Sequence, residues 1–319
     1  MKSTHLLLVA LAAAALSVSA RAQGLDFVRI EITTEQIAPN LYMLSGSAGL
    51  DPAHEDAAGG RIGVLAGPDG ILMVDAQYAE LGEKVLAAIR RISSAPIRFL
   101  VNTHIHRDHT AGNAKFAKLG ATILAREELR QGMDNAVRAG SPAASDPAGI
   151  PVVTYGMGEP VKLHLNGEIV DLVPVRAAHT GGDTMIGFEN ANAIMIGDYY
   201  RNFGYPYIDI ANGGSLKGML EALDFTMKVA RADTRLVPGH GTLIKRGDLI
   251  PYRDMIFAIQ GKVQQLIAQG RTQQDVLAAH VTAPYDASVP GGLLPAAGST
   301  TSADRFVTEV YQELKGGGK

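Results

Sequence analysis

Thr103-His104-Ile105-His106-Arg107-Asp108-His109-Thr110-Ala111-Gly112-Asn113 places four potential metal ligands, His104, His106, Asp108 and His109, within six positions. Imidazole and carboxylate donors together suit zinc, iron or manganese. From an extended turn His104 and His106 can point the same way while Asp108 and His109 face a neighbouring point, so the stretch offers donors to two metals rather than one. A solvated polar loop is the plain alternative, and a single loop histidine would fit it. Three histidines with an aspartate, directly after the apolar run Phe99-Leu100-Val101, favour a metal site.

The same arrangement recurs along the chain. Val173-Pro174-Val175 leads towards His179, Ile194-Met195-Ile196-Gly197 into Asp198, and Leu236-Val237-Pro238-Gly239 into His240. Each run is short, β-prone and followed by a turn signal, so each reads as a buried strand. A candidate ligand therefore stands just beyond each of four strands, and loops at one rim of a rigid sheet are where reactive groups concentrate. His179 or His240 alone could equally be a satisfied surface histidine; with the first cluster they make a site.

The ordered set His104-x-His106-x-Asp108-His109, His179, Asp198 and Pro238-Gly239-His240-Gly241 resembles the metallo-β-lactamase superfamily, with the likeness running from Gly63 to about Gly241. The resemblance implies an α/β fold, an αββα sandwich with a binuclear site at the sheet rim. It implies that His104, His106 and His179 hold one metal, that Asp108, His109 and His240 hold the other, and that Asp198 bridges both. Two zinc ions are expected, with iron or manganese as alternatives. Cysteine-type zinc β-lactamases carry a thiolate where Asp198 stands, and this chain has no cysteine. The aspartate resembles instead the glyoxalase II, lactonase and wider metallohydrolase branches. Arg201 stands where such β-lactamases often keep a lysine for the substrate carboxylate; an ordinary surface arginine is the other reading.

Two metals about 3.5–4 Å apart share a water and lower its pKa towards 7, so hydroxide becomes available to attack a carbonyl. Asp108 would orient that nucleophile and help move its proton. No side-chain nucleophile is offered: there is no Cys, no Gly-x-Ser-x-Gly and no Ser-x-x-Lys. The resulting expectation is a β-lactamase-like hydrolase of a cyclic amide, acting on a small molecule with a hydrolysable carbonyl. The alternatives are a hydrolase of lactones, esters or thioesters, or an iron-dependent accessory or oxidoreductase protein of periplasmic quinoprotein systems. Tyr199, Tyr200, Asn202 and Tyr205 follow Asp198 closely and could line the pocket, or could be core and surface residues.

The amino terminus bears on the compartment. Lys2 precedes the apolar run Leu6–Leu16, and Val18-Ser19-Ala20 and Ala20-Arg21-Ala22 offer small-residue cleavage sites. This reads as a secretory signal peptide over residues 1–22, cut after Ala22 or Ala20, because a membrane-spanning helix needs about 20 apolar residues. No later segment is apolar enough to span. Residues 23–319 would then form the hydrolase domain with its C-terminal helices, periplasmic or secreted and without disulfides. Removing residues 1–22 takes away Lys2 and Arg21 and no acid, so the net charge moves from −3 to −5. A mildly acidic chain without basic runs argues against nucleic acid as a partner.

Periodicity supports helices layered on sheet. Gly63–Ala66 and Ile71–Asp75 read as strands flanking the turn Gly67-Pro68-Asp69-Gly70. Helical spacing runs through Leu81, Val85, Ala88, Ile89 and Ile92, through Leu216 to Met227 after Ser215, through Met255 to Leu266 after Asp248, and through Phe306, Val310 and Leu314 after the capping pair Thr301 and Asp304. A further helix covers Glu127 to Val137. Gly49 to Gly60 reads as a loop that could cover the substrate, with His54 in it exposed to solvent rather than a ligand. Ala139 to Pro160 reads as a surface excursion, and His164 and His280 as solvated or structural.

Overall fold

The computed structural model describes residues 25–141, 146–294 and 300–316; the signal-peptide reading of residues 1–22 lies outside the described residues. The first sheet begins with an antiparallel meander, β1 (Ile32–Ala38), β2 (Leu41–Gly46), β3 (Ile62–Gly67) and β4 (Gly70–Val74). It continues in parallel with β5 (Ile97–Val101), β6 (Thr122–Arg126) and β7 (Val153–Tyr155). The parallel crossovers are made by α1 (Gly82–Ile92), by α2 (Arg107–Thr110) with α3 (Asn113–Lys118), and by α4 (Glu127–Arg138). In the second sheet, β8 (Val161–Leu165), β9 (Glu168–Pro174), β10 (Thr184–Phe188) and β11 (Ala193–Gly197) are antiparallel, and β12 (Arg235–Pro238) joins β11 in parallel through α5 (Leu216–Val229). The chain ends on α6 (Leu249–Ala268), α7 (Gln273–Ala278) and α8 (Ser302–Gly316).

Three apolar layers make this an αββα sandwich. Leu65, Leu72, Val74 and Val101 of the first sheet meet Leu172, Ile186, Phe188 and Val237 of the second. Val85, Ala88 and Ile89 of α1 cover Val64, Ile71 and Met73 on the outer face of the first sheet. Leu216, Met219 and Leu223 of α5, with Ile256, Ile259 and Val263 of α6 and Phe306 and Val310 of α8, cover Ile194, Ile196 and Leu236 on the other outer face. Burying each such side chain is worth about 1.5–3 kcal/mol, which is why the sheets stack apolar face to apolar face. Helix starts follow the predicted chemistry: the Ser215 hydroxyl accepts the Gly218 N–H at 2.9 Å, and the Thr301 hydroxyl accepts the Asp304 N–H at 3.0 Å while donating to its carboxylate at 2.9 Å.

One expectation is corrected, and one hairpin stands where the sequence suggested no element. The excursion over 139–160 contains β7, which adds an edge strand to β6; three residues of modest polarity carry too little alternation to be seen. The hairpin β1–β2 falls in no predicted element, because β1 is an edge strand whose interior residues Thr33 to Gln36 face solvent. Among the described residues no helix is long and apolar enough to cross a membrane.

Candidate metal centre

β4, β5, β11 and β12 end at one rim, and the loop after β9 reaches it as well. His104, His106, Asp108 and His109 follow β5, His179 follows β9, Asp198 follows β11, and His240 follows β12. Donor atoms of His104, His106, His179 and Asp198 converge on one point, and those of His109, Asp198 and His240 on a second. Asp108 joins the second group through Oδ2, 3.0 Å from His240 Nε2. Asp198 alone is common to the two groups, its Oδ2 lying 3.7 Å from His179 Nε2 and 3.3 Å from His240 Nε2. The structure thus brings all seven expected ligand candidates together.

Four of the five rings are turned by a partner on the far side, while His240 Nδ1 is buried without one. A carboxylate can only accept, so His106 donates from Nε2 to Asp209 at 2.7 Å and His109 donates from Nδ1 to Asp75 at 2.7 Å. His179 donates from Nδ1 to the Tyr207 carbonyl at 2.8 Å. Thr103 donates its hydroxyl to Asp75 at 2.7 Å and accepts from His104 Nδ1 at 3.0 Å. Those bonds fix the ring orientations and turn His104 Nε2, His106 Nδ1, His109 Nε2 and His179 Nε2 inward, each a lone pair wherever the ring is neutral. His106 Nδ1 and His179 Nε2 are only 2.9 Å apart, two acceptors with no proton of their own to share. His104 Nε2, Asp108 Oδ2 and Asp198 Oδ1 are buried without hydrogen-bond partners. Buried orphan acceptors are costly unless a cation satisfies them, so this donor set fits a divalent metal ion.

Electrostatics agree. Burial opposes the charged form of His109, yet Asp108, Asp198 and Asp75 outweigh it and raise its pKa to about 10. Burial, reinforced by neighbouring His106, lowers His179 to about 3, and burial with His109 holds His104 well below the usual histidine range. Carboxylates that drive one imidazole to take a proton supply the same attraction to a dication, while the neutral rings supply lone pairs.

Backbone geometry brings the donors this close. Asp75, at the end of β4, has φ 61°, a left-handed conformation that aspartate tolerates better than most residues. A methyl group at Gly239 would overlap the Asp198 carboxylate, which explains the glycine before His240. Asp183 accepts the Thr180 hydroxyl at 2.6 Å and its N–H at 3.1 Å, tying down the turn that carries His179.

A cavity of about 430 Å³ opens over the cluster. Its walls include His54, Tyr78, Arg201, Phe203, Tyr207 and Arg305. Arg201 is buried, donates from Nη2 to the Ala53 carbonyl at 3.3 Å, and leaves Nε unpartnered. Arg305 of α8 lies over the Tyr207 ring at 4.3 Å, with Nε and Nη2 buried and unbonded. Glu309 approaches Arg305 at 3.4 Å, but burial pushes its carboxyl up to about 8, so near neutral pH it is mostly protonated and compensates that charge little. The proton is held more tightly in the folded than in the unfolded chain, so stability should fall as pH rises from about 4.5 through 8. Glu309→Gln should flatten that decline; denaturant midpoints of both proteins at pH 5 and pH 9 measure it, and an unchanged slope would place the proton elsewhere.

Several sequence expectations need adjustment. His54 is not solvated: its ring stacks on His240 with centroids 3.5 Å apart, because the 49–60 loop folds inward. Of the five residues after Asp198 that the sequence singled out, Tyr199, Tyr200, Arg201, Asn202 and Tyr205, Arg201 alone faces this cavity. Tyr199 and Tyr205 are core, bonded to Thr226 and to Thr282 and Asp286, while Tyr200 and Asn202 line a separate hollow against α6. His164 is exposed on β8, as expected. Asp75, Asp209, Tyr207 and Arg305 belong to the site and were not singled out in the sequence. Asp75 carried a usable signal, an acid directly after a buried strand like Asp198; Arg305 carried none.

Comparison with known proteins agrees with this geometry. The family model described as the metallo-beta-lactamase superfamily matches residues 58–240, more than half of the chain. A linear primary-alkylsulfatase from Pseudomonas sp. is 38% identical over 85 residues, 24% of this chain and 16% of that protein. The stereoselective inverting sec-alkylsulfatase Pisa1 from Pseudomonas sp. superposes with a TM-score of 0.64 at 16% identity, over 88% of this chain and 50% of the other. The chain therefore spans about half the length of that structure and a small part of the curated relative. A metallo-beta-lactamase from Pontibacter korlensis gives 0.59 at 16% identity, over 71% of this chain and 99% of the other, and DIM-1 metallo-beta-lactamase gives 0.57 at 14%, over 71% and 98%. With the matched family region enclosing both donor clusters up to His240, this chain belongs to the metallo-β-lactamase superfamily.

Proposed function

We propose that this chain is a binuclear zinc hydrolase acting on a small substrate that carries an anionic group beside the scissile bond. One observation carries the reading: His106, Asp108 and Asp198 of the two donor clusters line a cavity whose wall also holds Arg201 and Arg305, two guanidiniums with buried, unbonded N–H groups. Bound there, a metal pair supplies Lewis acidity and a water of lowered pKa. His104, His106 and His179 would hold one ion, Asp108, His109 and His240 the other, and Asp198 both. Asp108, whose buried Oδ2 lies 3.0 Å from His240 Nε2, would orient the attacking water and take its proton. Arg201 and Arg305 would hold the substrate anion by charge-assisted hydrogen bonds, and Phe203 and Tyr207 would exclude solvent around it.

A cyclic amide of the β-lactam type, with its carboxylate next to the ring nitrogen, meets these demands. An alkyl sulfate is the second reading, favoured by the alkylsulfatase relatives and by the second guanidinium, since a sulfate offers three oxygens where one arginine already satisfies a carboxylate. Neutral lactones and thioesters, which an aspartate at 198 would favour, leave both arginines without a partner. Arg201→Ala and Arg305→Ala should each raise KM for the anionic substrate about tenfold or more, about 1.4 kcal/mol, with kcat less affected. Neutral lactones serve as the control. Equal losses on charged and neutral substrates would make the arginines structural, and hydrolysis of neither β-lactams nor alkyl sulfates would overturn the substrate reading. Two zinc ions per chain by elemental analysis support hydrolysis; a single iron would support the accessory-protein alternative. Residues 1–22 as a cleaved export signal belong to the same proposal, and the mass of the mature amino terminus tests it.

A further inference from the structure

α8 lies beyond the matched family region, yet one of its side chains reaches the metal centre through the backbone. The Tyr207 carbonyl that orients His179 and the Ile208 N–H belong to one peptide unit. On the opposite side of that unit the N–H donates to Glu309 Oε2 at 2.9 Å, with Ile208 and Glu309 both buried. A peptide unit is planar, so holding its N–H sets the direction of its carbonyl. Donation from the N–H also polarises the carbonyl and strengthens its hold on His179 Nδ1.

The next residue completes the grip. Asp209 donates its N–H to the His179 carbonyl at 2.9 Å and accepts from His106 Nε2 at 2.7 Å. Residues 207–209 therefore orient two of the three histidines proposed for one ion, here the first metal. The second cluster is served from elsewhere, His109 by Asp75. Glu309 is itself held in place, because Phe306 and Val310 beside it on α8 are fully buried against the second sheet. Its other oxygen only approaches Arg305 Nε, at 3.4 Å. Without Glu309 the Ile208 N–H would be a buried donor with no partner. The peptide would relieve that by rotating, and the rotation would take the carbonyl away from His179.

We infer that Glu309 is a positioning residue for the first metal, acting through the 207–208 peptide on His179. The inference rests on the binuclear reading above. The test follows zinc(II) binding to the chelator-stripped protein by NMR of the histidine ring nitrogens. His104, His106 and His179 report one site, and His109 and His240 the other. In the wild type, filling the first site should slow amide hydrogen exchange at Ile208, and filling the second should not. Glu309→Leu, which keeps the volume but offers no acceptor, should weaken the first site about tenfold and leave the second unchanged, the lower end of the range for groups behind a ligand. Glu309→Gln, whose amide oxygen can accept the same N–H, should restore most of that loss. The wild-type exchange needs no variant and decides the matter if Glu309→Leu fails to fold. Equal weakening of both sites would make Glu309 a residue of the fold alone. A raised KM for the anionic substrate with unchanged zinc binding would mean that it acts only through Arg305. Either result overturns the inference and leaves the binuclear reading intact, as does an Ile208 amide indifferent to zinc. Zinc that leaves the rings of His104, His106 and His179 unmoved in the wild type would overturn the binuclear reading, and the inference with it.

Discussion

His179→Ala is expected to lower turnover by roughly a thousandfold or more, the loss of about 4 kcal/mol of transition-state stabilisation when a metal that polarises and activates is no longer held in place. The reason is specific to this ring. His179 Nε2 and His106 Nδ1 face each other at 2.9 Å, and both tautomers are fixed from behind by Tyr207 and Asp209. Removing one leaves the other with a lone pair and no rigid partner across the ion. The variant should still fold, since most of the core lies in the three apolar layers away from the rim. It should, however, lose the stabilisation expected of the native chain on adding zinc under the proposed function, about 2.7 kcal/mol at a hundredfold excess over the dissociation constant. Kinetics with thermal unfolding at fixed zinc check both parts, and a variant with wild-type kcat would remove His179 from the centre.

Asp198→Ala should be comparably severe, for a different reason. Asp198 is the one group shared by both clusters, and its Oδ1 is buried with no hydrogen-bond partner. Its loss takes a negative charge from beside His104, His109, His179 and His240 together. The second ion should weaken most, because the first retains three histidines. Asp198→Cys should restore two-metal binding, since a thiolate is an anionic ligand of similar reach. Two tightly bound ions and wild-type rate in Asp198→Ala would show that the carboxylate does not bridge.

Much of the centre was legible before folding because ligand spacing is local. His104, His106, Asp108 and His109 sit in one turn whose backbone dictates where they point, and short apolar runs announce the strands that carry His179, Asp198 and His240 to the rim. The long helices were legible for the same reason: apolar spacing and the caps at Ser215 and Thr301 act within a turn or two of chain. Short or edge elements such as β1 and β7 have too few residues facing the core to show a period.

What the sequence by itself determined was therefore the candidate donors and the strands and helices beside them, properties of neighbouring residues, while the sandwich and the grouping of donors about two metals were implied by the family resemblance of the ordered motifs. Only the tertiary structure decided what surrounds those donors. His54 looked like any exposed loop histidine until Asp51 and Gln77 folded its loop onto His240. Asp75 and Asp209 became partners of His109 and His106 only when β4 and the segment after Asp198 closed around the β5 turn. Arg305, at the far end of the chain, reached Arg201 because α8 buries Phe306 and Val310 against the second sheet. On the proposed reading, substrate preference resides in those long-range contacts, since the energy that brings distant charged groups to one wall comes from apolar burial elsewhere in the fold.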